Sequence, residues 1–111
     1  RPTPNHIAGA TANAGLMAFT KALGLEAPKF GVRVLGVNPA ATGTERQVVR
    51  RKARSKDRFG DESRWRELVA HMPSGSMATS QEVADMTVFL ASDRASYMSG
   101  TIVTIDGGSG V

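Results

Sequence analysis

The stretch "ATSQEVADMTVFLASDRASYMSGTIVTIDGG", Ala78–Gly108, writes one helix and one strand with their boundaries. Thr79-Ser80-Gln81-Glu82 has the form of a capping box: the threonine oxygen takes a backbone N–H while the glutamate reaches back. Val83, Met86, Phe89 and Leu90 then fall at helical spacing and make one apolar stripe. A polar turn leads to Gly100. Thr101–Asp106, "TIVTID", reads as a strand, and "GGSG" closes the chain.

Working upstream, "PSGSMA" is a turn, and "DESRWRELVAHM" places Trp65, Leu68, Val69 and Met72 at the spacing of a short helix. Before it lies a basic segment. Between Arg46 and Arg58 there are seven basic residues and one acid, Asp57. The whole chain has 14 basic and 10 acidic residues, so the remainder has seven basic and nine acidic. The net charge of +4 is therefore local rather than a property of the whole surface. The segment is expected to be helical to about Lys56, with Thr44 or a neighbour as its cap. "GVRVLGVNP", Gly31–Pro39, is rich in valine and reads as a buried parallel strand stopped by Asn38-Pro39.

The first element is a helix expected over residues 6–27, with Asn5 as a possible cap and Pro28 as its stop. Ile7, Ala10, Ala14, Met17, Ala18, Phe19, Ala22 and Leu25 fall all round it, which predicts burial on more than one side. Gly9, Gly15 and Gly24 each weaken it by up to ~1 kcal/mol relative to Ala, and are best tolerated where another backbone comes close.

The order helix, strand, helices, helix, strand is α/β, with the strands parallel through a right-handed crossover. Two strands make a poor sheet. A purely parallel pair is normally buried in something larger, so the chain reads as part of a wider doubly wound sheet. With 111 residues there is room for one small domain. The chain starts at Arg1, so its natural N-terminus is expected to lie further upstream. No apolar run approaches the roughly 20 residues that span a membrane. The chain has no cysteine and two distant histidines, His6 and His71. Disulfides are excluded, a metal site is not expected, and a reducing compartment fits.

Four stretches together resemble one family, the short-chain dehydrogenase/reductases, NAD(P)-dependent oxidoreductases on a Rossmann fold. They are "NAGLMAFTKALGLE", "GVRVLGVNPAATGT", "ATSQEVADMTVFLASDRASYMSG" and "TIVTIDGG". The resemblance covers nearly all of residues 1–111. It implies the C-terminal part of a Rossmann-type doubly wound parallel sheet, with two strands and about four helices. The sequence has no G-x-G-x-x-G, so the glycine-rich cofactor half is expected to be absent from this chain. The cofactor implied is NAD or NADP, the reaction hydride transfer to or from a hydroxyl or carbonyl carbon, and the compartment cytoplasmic.

The family's chemistry rests on Tyr-x-x-x-Lys on the long helix, where residues i and i+4 share a face. The tyrosine exchanges a proton with substrate; the lysine lowers its pKa and holds the nicotinamide ribose. Here Gly9 and Asn13 stand at those two positions. Asn13 keeps hydrogen-bonding capacity without charge. His6, seven residues before Asn13, is the nearest alternative proton donor. By resemblance, the loop Pro39, Ala40, Ala41, Thr42 and Thr44 holds the nicotinamide end of the cofactor. Ala40 replaces the usual glycine; if that position needs φ > 0, alanine would cost about 1 kcal/mol or more.

Three functional readings follow. The first is an oxidoreductase segment that is not expected to be active alone, whose basic lid favours an anionic small-molecule substrate. The second is a catalytically inactive scaffold. The third, ranked last, is a basic nucleic-acid-binding module using residues 46–58. Helix 6–27 and strand 101–106 are the expected surfaces of a homo-oligomer.

Overall fold

The computed structural model describes residues 4–110, apart from the side chain of Asn5. The cap expected at Asn5 therefore lies outside the described side chains. His6 holds the N-cap position, with no side-chain cap hydrogen bond. The elements in order are α1 (Ile7–Glu26), β1 (Gly36–Pro39), α2 (Glu45–Phe59), α3 (Ser80–Ala91) and β2 (Ile102–Ile105). Short 3-10 turns flank α1 at Pro4–His6 and Ala27–Phe30, and a longer one covers Glu62–Leu68. The fold is α/β with one two-stranded parallel sheet, as the element order predicts.

The described chain forms two compact units, one of residues up to 38 with 86–104, the other of residues 39–85 with those from 105 onward. In the first, Gly36 N–H donates to Thr101 O at 2.9 Å and Gly100 N–H to Val34 O at 2.8 Å, which sets the strand register. Alternate residues of β1 then face opposite ways. Gly36 faces Ile102 and Thr20 of α1. Leu35 and Val37 line a cleft with Thr87 and Leu90 of α3. Helices thus cover both faces of the strand, the doubly wound arrangement.

The seat of α1 on this unit is Met17, Thr20, Gly24 and Ala27, residues at helical spacing that are half-buried or buried. Gly24 lies directly on the backbone of Gly100, so a Cβ there would collide with main chain. Gly15 meets nothing within 4 Å. The Ser99 hydroxyl donates to Gly24 O at 2.8 Å and accepts from Val34 N at 3.2 Å, tying helix to strand. Arg33 reaches the end of α3: its guanidinium donates to the carbonyls of Leu90, Ala91, Ser92 and Ala95 at 2.8–3.4 Å. The last turn of a helix leaves such carbonyls unpaired, and a cation there also meets the negative end of the helix dipole.

In the second unit, Thr44 caps α2, accepting at its hydroxyl from Gln47 N at 3.4 Å, and Gly60 ends the helix at φ 74°. The helix runs three residues past the expected Lys56 because Gly60 is the first residue placed to stop it. Ser55 is fully buried and donates to Asp61 O at 2.7 Å, locking α2 to the next segment. The capping box at Thr79 forms in both directions: Glu82 N donates to the Thr79 hydroxyl at 3.1 Å, and Thr79 N to Glu82 Oε2 at 2.6 Å.

Three expectations need correction. The first strand is Gly36–Pro39, not residues 31–39, because Gly31 takes a left-handed turn at φ 71° and Val34 N spends its donor on Ser99. The segment 61–72 is not an α-helix but the 3-10 run Glu62–Leu68. Asp61 caps it by accepting from Ser63 N at 2.8 Å, and Leu68 and Val69 are buried. Finally, α1 is not buried on several sides by this chain. Ile7, Phe19 and Leu25 are 68%, 60% and 80% exposed. The sheet it rests on is two strands wide, so one narrow face suffices to cover it.

Candidate functional site

Parallel α/β sheets bind ligands outside the carboxyl ends of their strands, where chain direction and helix starts converge. Here those ends are Pro39 and Ile105. Beyond them, in the second unit, lies a cavity of about 230 Å³. Ala40 and Ala41 line it from the first strand's exit, and Ile105, Asp106 and Gly107 from the second's. Met72, Ser74, the segment Ser76–Ala78 and Glu82 complete its wall.

The loop leaving β1 is held by its own backbone. Ala40 N donates to Ile105 O at 2.9 Å, and Thr44 N to Thr42 O at 2.8 Å. Ala78 N donates to Ala41 O at 3.0 Å, and Gly43 N to Ala78 O at 2.7 Å, so Thr42 and Ala78 form an isolated parallel bridge. The Thr42 hydroxyl donates to Ala40 O at 3.2 Å. Such a loop is set before any ligand arrives, which spares binding the cost of ordering it. Among the described residues no non-glycine residue has positive φ, so Ala40 sits there without the strain its identity first suggested. Thr44 accepts at its hydroxyl as the helix cap, and of the five loop residues Ala40 and Ala41 are the ones that line the cavity.

The lining carries two carboxylates and no cation. Both are occupied. Glu82 takes the Thr79 backbone N–H and hydroxyl, which hold its carboxyl below the ordinary range. Asp106 accepts from Gly108 N at 3.0 Å and Gly110 N at 2.8 Å. A phosphate would find no counter-charge here, whereas an uncharged or cationic ring with an amide would meet small side chains and backbone groups.

His6 and Asn13 belong to the first unit, on or beside α1, and both are exposed. The His6 imidazole lies directly on Gly9, in the space where a side chain at that position would begin. Glycine at position 9 and histidine at position 6 are thus one steric fact: the ring occupies the volume that a Cβ would take. Pro39, Ala40, Ala41, Thr42 and Thr44 belong to the second unit and come together as one loop. Sequence reasoning missed the strip Ser76–Ala78 that pairs with this loop, together with Met72 and Ser74. Nothing in their local pattern marks them, because the pairing joins residues more than 30 apart.

The aromatic rings near the basic helix are covered. Arg64 lies 4.5 Å over the Phe59 ring with Arg58 at 5.2 Å, and Arg66 lies 4.8 Å over Trp65. Among the described residues no group of three or more His, Asp or Glu is placed to hold a metal ion, and no helix is long and apolar enough to cross a membrane.

Comparison with known proteins agrees with this geometry. Residues 1–110 match the family described as enoyl-(acyl carrier protein) reductase. The oxidoreductase UcpA of Escherichia coli is 34% identical over 106 residues, 96% of this chain and 40% of that protein. A short chain dehydrogenase family protein from Francisella tularensis superposes with a TM-score of 0.87 at 26% identity, covering 97% of this chain and 45% of its own. The L-sorbose reductase of Gluconobacter frateurii, solved with NADPH and L-sorbose, gives 0.77 at 34% identity over 86% of this chain and 37% of its own. The chain spans about 40% of the length of the curated relatives it matches. With the family matched over residues 1–110 and short-chain dehydrogenases superposing over nearly the whole of it, the chain belongs to the short-chain dehydrogenase/reductase family.

Proposed function

We propose that this chain serves as the C-terminal portion of an NAD(P)-dependent oxidoreductase, in a reducing, cytoplasmic setting, and supplies the nicotinamide end of its cofactor site. The observation that carries this reading is the self-bonded loop Pro39–Thr44 beside a cavity at the carboxyl ends of both strands. When bound, the cofactor gives or takes hydride. The residues of this chain position it: the Thr44 hydroxyl proton and the backbone of Pro39, Ala40, Ala41 and Thr42 orient the nicotinamide amide. The cationic helix α2 favours an anionic small-molecule substrate. A nucleic-acid role is disfavoured because Phe59 and Trp65 are already stacked by arginines, which removes the platforms a single strand would use.

The proton would come from His6, whose imidazole occupies the start of the family's tyrosine position, with Asn13 one turn on as a hydrogen-bonding group. In the full-length protein, His6→Ala should lower turnover by roughly 100-fold and leave NADPH affinity in place. Unchanged turnover would remove His6 from the chemistry. Thr44 can be tested apart from its capping role. Thr44→Asp retains a good cap but has no hydroxyl proton, so it should keep stability and weaken NADPH binding about tenfold, read by nicotinamide fluorescence.

A second reading is favoured by one observation, the uncovered apolar side chains of α1 together with Gly9 and Asn13 at the catalytic positions. It makes the protein an inactive scaffold that associates through α1. No NADPH fluorescence change in the full-length protein, with a stable dimer, would select it.

A further inference from the structure

The second unit holds another cavity, of about 310 Å³, that the cofactor reading does not use. It shares the Ser76–Ala78 segment with the cavity at the strand ends as a common wall. Its chemistry is different. Val48, Trp65, Val69 and Met77 give it apolar walls, no carboxylate lines it, and Arg66 is its one charged lining residue. The Arg66 guanidinium is held 4.8 Å over the Trp65 ring, at the aromatic wall. Among the described residues the ion pairs are Lys29–Glu26 and Arg64–Glu67, so the charge of Arg66 has no carboxylate against it.

The surroundings reinforce that excess of positive charge. Residues 45–66 contain nine basic and four acidic side chains. Arg51 follows Val48 on the same face of α2, and its Nε is buried without a hydrogen-bond partner. Burial, then the nearby Arg54 and Arg50, lower its pKa, the direction expected of a cation short of counter-charge. Arg51 does not line the cavity; it adds to the positive field beside it.

We infer that this cavity is a binding site for a small apolar monocarboxylate, its hydrocarbon against Val48, Trp65, Val69 and Met77 and its carboxylate on Arg66. Few polar groups and a largely apolar wall are what such pockets present. The charged end distinguishes this ligand from a neutral oil, because a guanidinium–carboxylate contact is stronger than a neutral one.

The test is calorimetric titration of the full-length protein, without cofactor, with 4-phenylbutyrate and with its neutral counterpart 4-phenylbutan-1-ol. The acid should bind about tenfold or more tightly than the alcohol. Arg66→Gln should bring the acid down to the level of the alcohol, and Arg66→Lys should restore part of the difference. Val48→Phe fills the cavity and should abolish both, with circular dichroism confirming that each variant is folded. Equal affinity for acid and alcohol in the wild type overturns the proposal, as does unaltered acid binding by Arg66→Gln. If Arg66→Gln does not fold, indole and methionine methyl resonances of the wild type decide. The Trp65 indole resonance, which belongs to this cavity and not to the one at the strand ends, must move with the acid, and an unmoved Trp65 with shifts confined to Met17, Met72, Met86 and Met98 overturns it.

Discussion

At the scale of single residues, Gly9 is the most informative position in the chain. Read as sequence, it marks a missing tyrosine. In the structure it is also the floor on which the His6 ring lies. Gly9→Ala separates stability from chemistry. Alanine improves a helix by up to about 1 kcal/mol, and the exposed His6 side chain is free to swing out to make room, so the thermal midpoint should rise. The new Cβ must push the imidazole aside, so turnover of the full-length protein should fall if His6 donates the proton. A variant more stable and equally active would show that the position of the ring is incidental. Ala40 illustrates the opposite outcome. Its identity suggested a strained turn, yet its backbone stays in the ordinary region. The loop reaches its shape through pairing with Ala78 and Ile105, which a local reading cannot anticipate.

At the scale of elements, α3 is fixed at both ends by side chains. Its start depends on Glu82 in the ionised state. The Thr79 N–H and hydroxyl hold that carboxyl below its ordinary 4.5, so its contribution to stability is full above that value and is lost as pH falls through the lowered folded value. Glu82→Gln, which removes the titrating group, should therefore flatten the acid limb of a stability–pH curve measured by urea unfolding. An identical acid limb would show that the box contributes nothing. Its far end depends on Arg33. Arg33→Met removes the donor from four carbonyls and should cost about 2 kcal/mol or more, read as a lower urea midpoint. The seat of α1 is more severe. Gly24→Ala drives a Cβ into the backbone of Gly100, which cannot rotate away, and should cost about 3 kcal/mol. A mild effect would mean that the helix slides freely on the strand.

At the scale of the whole molecule, apolar surface is the dominant feature. Leu16 and Phe19 on α1 are 62% and 60% exposed, and Phe30 and Val88 stand out elsewhere. Large side chains of this kind in one stretch mark contact surfaces more often than solvent-facing ones. If α1 carries a homo-oligomer, Leu16→Glu with Phe19→Glu should convert the full-length protein to monomer in sedimentation equilibrium without loss of helicity. A wild type that sediments as monomer would dispose of the oligomer expected through α1. The parallel pairing of the two strands and both caps of the later elements were legible because element order sets strand direction and capping residues beside apolar periodicity act locally. The second short helix was misread for a related reason: Trp65, Leu68 and Val69 have helical spacing, but Asp61 and the lock between Ser55 and Asp61 O tighten the segment into a 3-10 turn.

The sequence by itself determined the family, the α/β order, the capping box at Thr79, the cap at Thr44, and the loop Pro39–Thr44 as the place to look. The caps depend on neighbours within a few residues, where side-chain and backbone preferences act directly, while the family, the order and the loop follow from four motifs spread along the chain. Only the tertiary structure decided that Ala40 is unstrained, that His6 and Gly9 share one volume, and that Ser76–Ala78 walls two cavities of unlike chemistry. Those facts come from segments far apart in the chain meeting in space. Local preference carries no record of such meetings, because they are set by how the elements pack.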